Sequence, residues 1–171
     1  MTTMDGKPHD IGKWDLMIAH PPCTYITAAG ACRMYPHKGE IDEARLAKAI
    51  EAKAFFMTLY NADIPRVAVE NPRPLKVMEM PEPTQVIQPY QFGEPYSKTT
   101  LLWLRGLLPL TPTNEVEPIC SWVSGGSKRA DGSRRKNIGK NRDPKERSKT
   151  FEGIARAMAE QWGGKNESQY M

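Results

Sequence analysis

Two short apolar runs, each ending in a proline-containing turn, constrain what this chain can fold into. Leu16 to Ala19 leads into the tetrapeptide His20-Pro21-Pro22-Cys23. Val67 to Val69 leads into Glu70-Asn71-Pro72. Both runs are continuously apolar rather than alternating, which is typical of strands buried on both faces of a parallel sheet. Proline cannot donate to a strand ladder, so each turn ends its strand sharply.

The segment between the two runs has the spacing of a helix. From Ile41 to Asn61, residues of one predicted face recur at intervals of three or four, namely Leu46, Ala47, Ile50, Ala54, Met57 and Asn61. Pro65 follows shortly afterwards as a stop. A strand–helix–strand unit with buried strands predicts an α/β fold with a mostly parallel sheet flanked by helices.

The remaining pattern predicts two further strands and a last helix. Residues 85–92 and 99–104 are the strands, and 150–162 form the helix. At 171 residues the chain suits a single domain, since a chain of that length buries roughly 70% of its extended-state surface. We predict a flexible lead at 1–13 and one α/β domain at 14–171, with a basic loop at 121–149.

Charge and composition bear on partners and location. Residues 128–149 carry ten Lys and Arg against three Asp and Glu, although the net charge of the whole chain is only +4. Such a localised field favours a polyanionic partner, with DNA or RNA first, whereas a solvated loop is the simpler alternative. Three cysteines, a polar N-terminus and no long apolar run predict a cytoplasmic protein without a membrane span.

The two proline-containing turns hold candidate catalytic groups. Ligands of open α/β sheets bind beyond the carboxyl ends of the strands, so Cys23 and Glu70 share one crevice if their strands are neighbours. A thiol is intrinsically a strong nucleophile, and a rigid turn orients it. A carboxylate at the end of an apolar strand needs a partner or solvent. The alternatives are a structural cysteine and a plain strand-ending turn.

Together and in this order the motifs resemble the DNA cytosine-5 methyltransferases, in a short phage-encoded form. That family has its nucleophile in a Pro-Cys turn and a second catalytic motif in a strand that ends in Glu-Asn. The resemblance covers most of residues 14–162 and rests on these segments: "WDLMIAHPPCTY" at 14–25, "ENP" at 70–72, "QPYQFG" at 88–93, "KTTLLWLRGLLPLTPT" at 98–113 and "RSKTFEGIARAMAEQW" at 147–162.

The resemblance implies a Rossmann-like methyltransferase fold and a role for each motif. Cys23 would add to C6 of a flipped cytosine, Glu70 would hold or protonate N3, and Asn71 would fix the carboxylate or the adjoining loop. The methyl group would come from S-adenosylmethionine. Contacts to DNA are expected from a wider set: Pro22, Thr24, Lys98, Arg134, Arg135, Lys136, Arg147 and Lys149.

The family's usual first strand and glycine-containing turn have no counterpart before Trp14, so the resemblance implies a methyltransferase that lacks its N-terminal cofactor-binding portion. The remaining candidates for the cofactor are His20, Pro21, Thr150 and Gly153. We expect a protein partner or a second subunit to complete that site.

Three alternatives remain open. The chain could be a catalytically inactive, repurposed DNA-binding protein of viral origin that interferes with a host DNA-processing or defence system. It could hold a metal through His20, Cys23, Cys32 and His37, although their spacing differs from the usual zinc pattern. It could be an amino-methyltransferase, whose Asp/Asn-Pro-Pro-aromatic turn His-Pro-Pro-Cys matches poorly.

Overall fold

The computed structural model describes residues 13–123 and 143–164. Its strands are β1 (Leu16–Ala19), β2 (Arg66–Asn71), β3 (Gln85–Ile87), β4 (Tyr96–Ser97), β5 (Thr100–Arg105) and β6 (Cys120–Ser121). Its α-helices are α1 (Ala31–Met34), α2 (Glu43–Tyr60), α3 (Pro144–Ser148) and α4 (Glu152–Trp162). Short 3-10 helices cover Ala28–Gly30, Lys76–Met78 and Pro89–Gln91.

The chain divides into two compact units. Of the described residues, 13–85 and Leu101–Leu108 make up the first unit. Val86–Thr100, 109–123 and 143–164 make up the second unit.

The predicted strand–helix–strand unit forms the centre of the first unit. β1 and β2 are neighbours and run parallel, with Leu16 opposite Arg66 and Ala19 opposite Val69. Two adjacent parallel strands need a long crossover connection, and α2 provides it. The carboxyl ends of β1 and β2 therefore meet at one edge of the sheet.

The sheet is mixed, so the expectation of a mostly parallel sheet is wrong in part. Its order is β1-β2-β5-β3, and β5 runs antiparallel to β2, with Val67 opposite Arg105 and Asn71 opposite Leu101. An antiparallel neighbour needs no crossover helix, and between β2 and β5 the chain has only short 3-10 helices and strands. The described residues form a mixed sheet with helices, an α/β architecture, and the Rossmann-like arrangement stays a prediction.

α2 covers one face of this sheet, but with a different stripe from the one predicted. Its buried residues are Ala49 and Phe56, whereas Ile50 of the predicted face is 56% exposed. Small apolar residues occur all round the helix, so spacing alone did not select a face. The ring of Phe56 decides the orientation, because it packs edge-on against Trp103 at a centroid distance of 5.0 Å. Such aromatic pairs contribute about 0.5–1.5 kcal/mol beyond the area that they bury.

The second unit packs around α4. The predicted strand at 85–92 is shorter than expected, because β3 ends at Ile87 and a 3-10 helix takes over at Pro89. β4 pairs in parallel with β6. α4 begins at Glu152, close to the predicted boundary, and buries four residues, Ile154, Ala157, Met158 and Trp162. On the exposed side of the helix, Gln161 exchanges two hydrogen bonds with the backbone of Thr111.

The helices in residues 13–123 and 143–164 differ from membrane-spanning segments. The longest is α2, with 18 residues, several of them charged. Within these two ranges none combines the length and the apolar character that a bilayer crossing requires.

We predict that Gly106→Ala destabilises the protein more than Gly39→Ala. Both glycines have a positive φ, +65° and +87°, which costs an alanine about 1–2 kcal/mol. A Cβ at Gly106 would also lie 2.2 Å from the carbonyl oxygen of Pro65, whereas nothing lies within 4 Å at Gly39. Midpoints of urea unfolding measure the difference. Equal midpoints for the two variants would contradict the close approach at Gly106.

Candidate active site

The two proline-containing turns lie side by side at the carboxyl ends of β1 and β2. The register that pairs Ala19 with Val69 brings the next residues, His20 and Glu70, opposite each other. His20 Nδ1 lies 3.0 Å from Glu70 Oε2. The side chains of His20 and Glu70 are 39% and 20% exposed, so this pair reaches solvent. The condition on which the shared crevice depended, neighbouring strands, is therefore met.

Asn71 fastens the second turn to the first. Its Nδ2 donates a hydrogen bond of 3.1 Å to the carbonyl oxygen of Pro21. The side chain is buried, and its Oδ1 has no hydrogen-bond partner among the described residues. Leaving a buried acceptor unpaired costs about 1–3 kcal/mol. The sequence predicted that Asn71 would fix either the carboxylate or the adjoining loop, and the contact is to the loop.

Backbone hydrogen bonds join the two loops further from the sheet. The amide of Leu75 donates to the carbonyl oxygen of Ile26 at 2.7 Å, and the amide of Ala28 donates to that of Arg73 at 2.8 Å. Thr27 and Pro74 form an isolated antiparallel bridge between these bonds. The segment after Cys23 and the segment after Glu70 are thus held together at several points.

Cys23 lies at the turn between the end of β1 and this paired region. Its carbonyl oxygen accepts hydrogen bonds from the amides of Ile26 and Thr27, at 3.2 and 3.0 Å. Its side chain is half-buried against an apolar cluster, formed by Ile26, Met34, Ala49, Leu75 and Met78. Pro22 and Thr24 on either side of it are exposed. The backbone at Cys23 is therefore fixed, while the turn that carries it faces solvent.

Arg45, near the start of α2, is a residue that the sequence analysis missed. Its Nη2 donates a 2.7 Å hydrogen bond to the carbonyl oxygen of Thr24, and its guanidinium lies 5.1 Å from the ring centroid of Tyr25. A Cβ at Gly30 would lie 2.9 Å from the same nitrogen, so the glycine leaves room for the guanidinium. The helical pattern marks Arg45 only as a charged residue of the first turn.

Three of the basic residues expected to contact DNA, Lys98, Arg147 and Lys149, are described, and they lie in the second unit. Lys98 Nζ lies 3.4 Å from the carbonyl oxygen of Lys149 and 5.7 Å from the ring centroid of Phe151. Lys149 forms an exposed ion pair of 2.6 Å with Glu146, and Arg147 is half-buried. Exposed pairs of this kind are weak and exchange readily for another anion. Arg134, Arg135 and Lys136 lie outside the described residues.

The cofactor candidates of the second unit have structural surroundings of their own. The amide of Gly153 donates to Glu94 Oε1 at 2.7 Å, which caps the start of α4. A Cβ at Gly153 would lie 1.9 Å from the carbonyl oxygen of Phe92, so packing accounts for the glycine. Thr150 is exposed, one residue before the N-cap of α4. Of the first unit's candidates, His20 contacts Glu70, and Pro21 is buried and accepts a hydrogen bond from Asn71.

The metal alternative receives no support from the described part of the chain. His20, Cys23, Cys32 and His37 all lie there, yet no three His, Cys, Asp or Glu side chains in that part are grouped so that they could hold a metal ion. His20 contacts Glu70, and Cys32 is exposed on α1.

No family model matches the chain, and it has no significant match among curated proteins or among solved structures.

We predict that Asn71→Ala loosens the turn that carries Cys23. The substitution removes the donor to the Pro21 carbonyl and leaves a cavity, so the free energy of unfolding falls by about 1–3 kcal/mol. The rate at which iodoacetamide modifies Cys23, followed on its own peptide by mass spectrometry, rises several-fold. Asn61→Ala at the exposed end of α2 is the matched control and leaves both quantities unchanged. An unchanged rate in Asn71→Ala would contradict the role of this bond.

Proposed function

We propose that this chain acts on cytosine in DNA, in the reaction of a DNA cytosine-5 methyltransferase, with Cys23 as the nucleophile and Glu70 as the acid. One observation carries the proposal. The parallel register of β1 and β2 brings a thiol-bearing turn and a carboxylate-bearing turn to one sheet edge, where a hydrogen bond from Asn71 and a 3.0 Å contact between His20 and Glu70 join them. A flat ring can be attacked by one of these groups and protonated by the other.

The proposed step moves electrons and protons between the cytosine ring, Cys23 and Glu70. The thiolate of Cys23 forms a bond to C6, and the electrons of the C5–C6 double bond move through C4 to N3. N3 takes the proton of Glu70, which becomes a carboxylate. The resulting enamine is nucleophilic at C5. After C5 has taken an electrophile, water takes the C5 hydrogen as a proton, and the freed electron pair re-forms the C5–C6 double bond as the sulfur of Cys23 leaves as a thiolate. N3 then returns its proton to the carboxylate of Glu70, which restores both the ring and the acid. A stacked cytosine cannot present this face, so the base has to be flipped.

S-adenosylmethionine would supply an electrophilic methyl group to C5. Within 13–123 no strand leads through a glycine-rich turn into a helix, which is the element that commonly cradles such a nucleotide-like group. Of the expected cofactor residues, Gly153 already donates its amide to Glu94 and His20 already contacts Glu70. The described residues therefore do not make up a binding site for the methyl donor. The test below uses a readout that needs no methyl donor.

We predict that the chain catalyses exchange of the C5 hydrogen of cytosine with water. Once Cys23 has added to C6, a proton from water can replace the methyl group as the electrophile at C5. DNA duplexes that contain [5-³H]deoxycytidine in random sequence should release tritium. Cys23→Ser abolishes the release, and Glu70→Gln lowers it about a hundredfold or more. The matched control is Cys32→Ser, which changes a second cysteine of the same unit and retains the tritium release.

A second experiment adds S-adenosylmethionine and DNA that contains 5-fluorocytosine. A covalent adduct that forms with the native chain and is absent in Cys23→Ser would support methyl transfer. Neither tritium release nor an adduct, with DNA binding retained, would overturn the enzymatic proposal and favour the inactive DNA-binding alternative.

We also predict a steep salt dependence of DNA binding, to which the second unit contributes. Each phosphate contact makes the fall of log K with log salt steeper by about 0.9 in slope. Arg147→Gln and Lys149→Gln each make the salt dependence shallower by roughly this amount. Arg156→Gln is the matched control, because this exposed arginine of α4 is a basic residue of the same unit that is not among those expected to contact DNA. Anisotropy titrations of a labelled duplex at several salt concentrations measure the slope, and equal slopes for all variants would contradict the assignment.

A further inference from the structure

The contact between His20 and Glu70 has no explanation in the stability of the fold. Both side chains reach solvent, and an exposed pair of this kind contributes little to stability. The sheet does not require it either, because the ladder between β1 and β2 ends one residue earlier, at Ala19 and Val69. A histidine whose ring meets one oxygen of a proposed catalytic acid at 3.0 Å is better explained by what it does to that acid.

We propose that His20 is a positioning residue that holds Glu70 by one oxygen and so directs the other oxygen to the substrate ring. The inference rests on the proposed function, because it concerns the acid of that reaction. His20 takes up Oε2, and Oε1 is left for N3 of the cytosine. Without this contact, the carboxyl group could rotate about its last torsion and offer either oxygen in many orientations.

The chemistry of the two groups determines which atom carries each proton. For this role Nδ1 of His20 must carry the hydrogen and donate it to Oε2, which can accept it both as the carbonyl oxygen of the acid and as a carboxylate oxygen. With Oε2 occupied in this way, the acidic proton of Glu70 resides on Oε1. When Oε1 gives that proton to N3, the carboxylate that forms keeps the same donor. The contact therefore strengthens as charge develops, which is the condition for stabilising a transition state.

Strand geometry explains why His20 can do this and why its neighbours cannot. Side chains alternate between the faces of a sheet, so Glu70 and Asn71 point to opposite faces. Asn71 lies on the face of Val67 and Val69, which pack beneath α2, and it is buried. Opposite Glu70 on the parallel neighbour comes His20, the first residue after β1. The ring thus reaches the carboxylate without crossing the sheet.

The test compares His20→Ala with His20→Gln in the tritium-release assay. His20→Ala lowers kcat about tenfold to a hundredfold and leaves KM for DNA little changed, because the ring acts on the acid and not on substrate binding. His20→Gln restores most of the rate, since an amide N–H can also donate to Oε2. His37→Ala, at an exposed histidine of the same unit, is the matched control and stays at the native rate.

A double-mutant cycle with Glu70→Gln separates positioning from a general loss of structure. If His20 acts through Glu70, His20→Ala has no further effect in the Glu70→Gln background. Independent losses in the double variant, or a native rate in His20→Ala, overturn the positioning role and leave the proposed function standing. A native chain that releases no tritium and forms no adduct overturns the proposed function, and the positioning role with it.

Discussion

The parallel pairing of β1 with β2 is the constraint on which the rest of the site depends. It places Ala19 opposite Val69, and therefore His20 opposite Glu70 and Pro21 near Asn71. A register slip of one residue would exchange the two faces of a strand. Glu70 would then point toward α2 and Asn71 toward the opposite face. The buried valines of β2 oppose such a slip, because they pack against Phe56 and Trp103. The apolar core thus sets the positions of the polar groups at the sheet edge.

Beyond the sheet, rigidity comes from contacts between the two loops rather than from regular structure. The loop after β1 has only one short 3-10 helix and the four residues of α1. Bonds from Leu75 and Ala28 pair it with the loop after β2, and Arg45 holds it to α2 at Thr24. The prolines end the strands, and these bonds then fix where the chain goes. In the proposed reaction, a nucleophile carried by such a turn would lose little conformational entropy when it meets its target.

The sequence predicted the positions of helices and strands well, because apolar runs and helical spacing mark them locally. It predicted poorly how these elements pack, because strand direction and the buried face of a helix depend on distant residues. β1, β2, α2 and α4 were found from apolar runs and helical spacing, and their boundaries differ from the predicted ones by a few residues. The direction of β5 could not be predicted, because a strand buried from Thr100 to Leu104 shows the same pattern whether it runs parallel or antiparallel to its neighbour. The buried face of α2 was missed because the helix has alanines on several sides, so that Phe56 and its contact with Trp103 decide the orientation.

At the site, sequence reasoning could name Cys23, Glu70 and Asn71 but not the contacts between them. Glu70 and Asn71 are adjacent in the chain, and strand alternation separates their roles. Asn71, on the buried face, donates to Pro21 and holds the loop. Glu70, on the other face, stays partly exposed beside His20. A polar dipeptide at the end of an apolar strand can therefore place one residue in the packed interior and the next at the partly exposed sheet edge. The contact of His20 with Glu70 could not be predicted, because their distance depends on which strands are neighbours, and fifty residues of sequence separate the two.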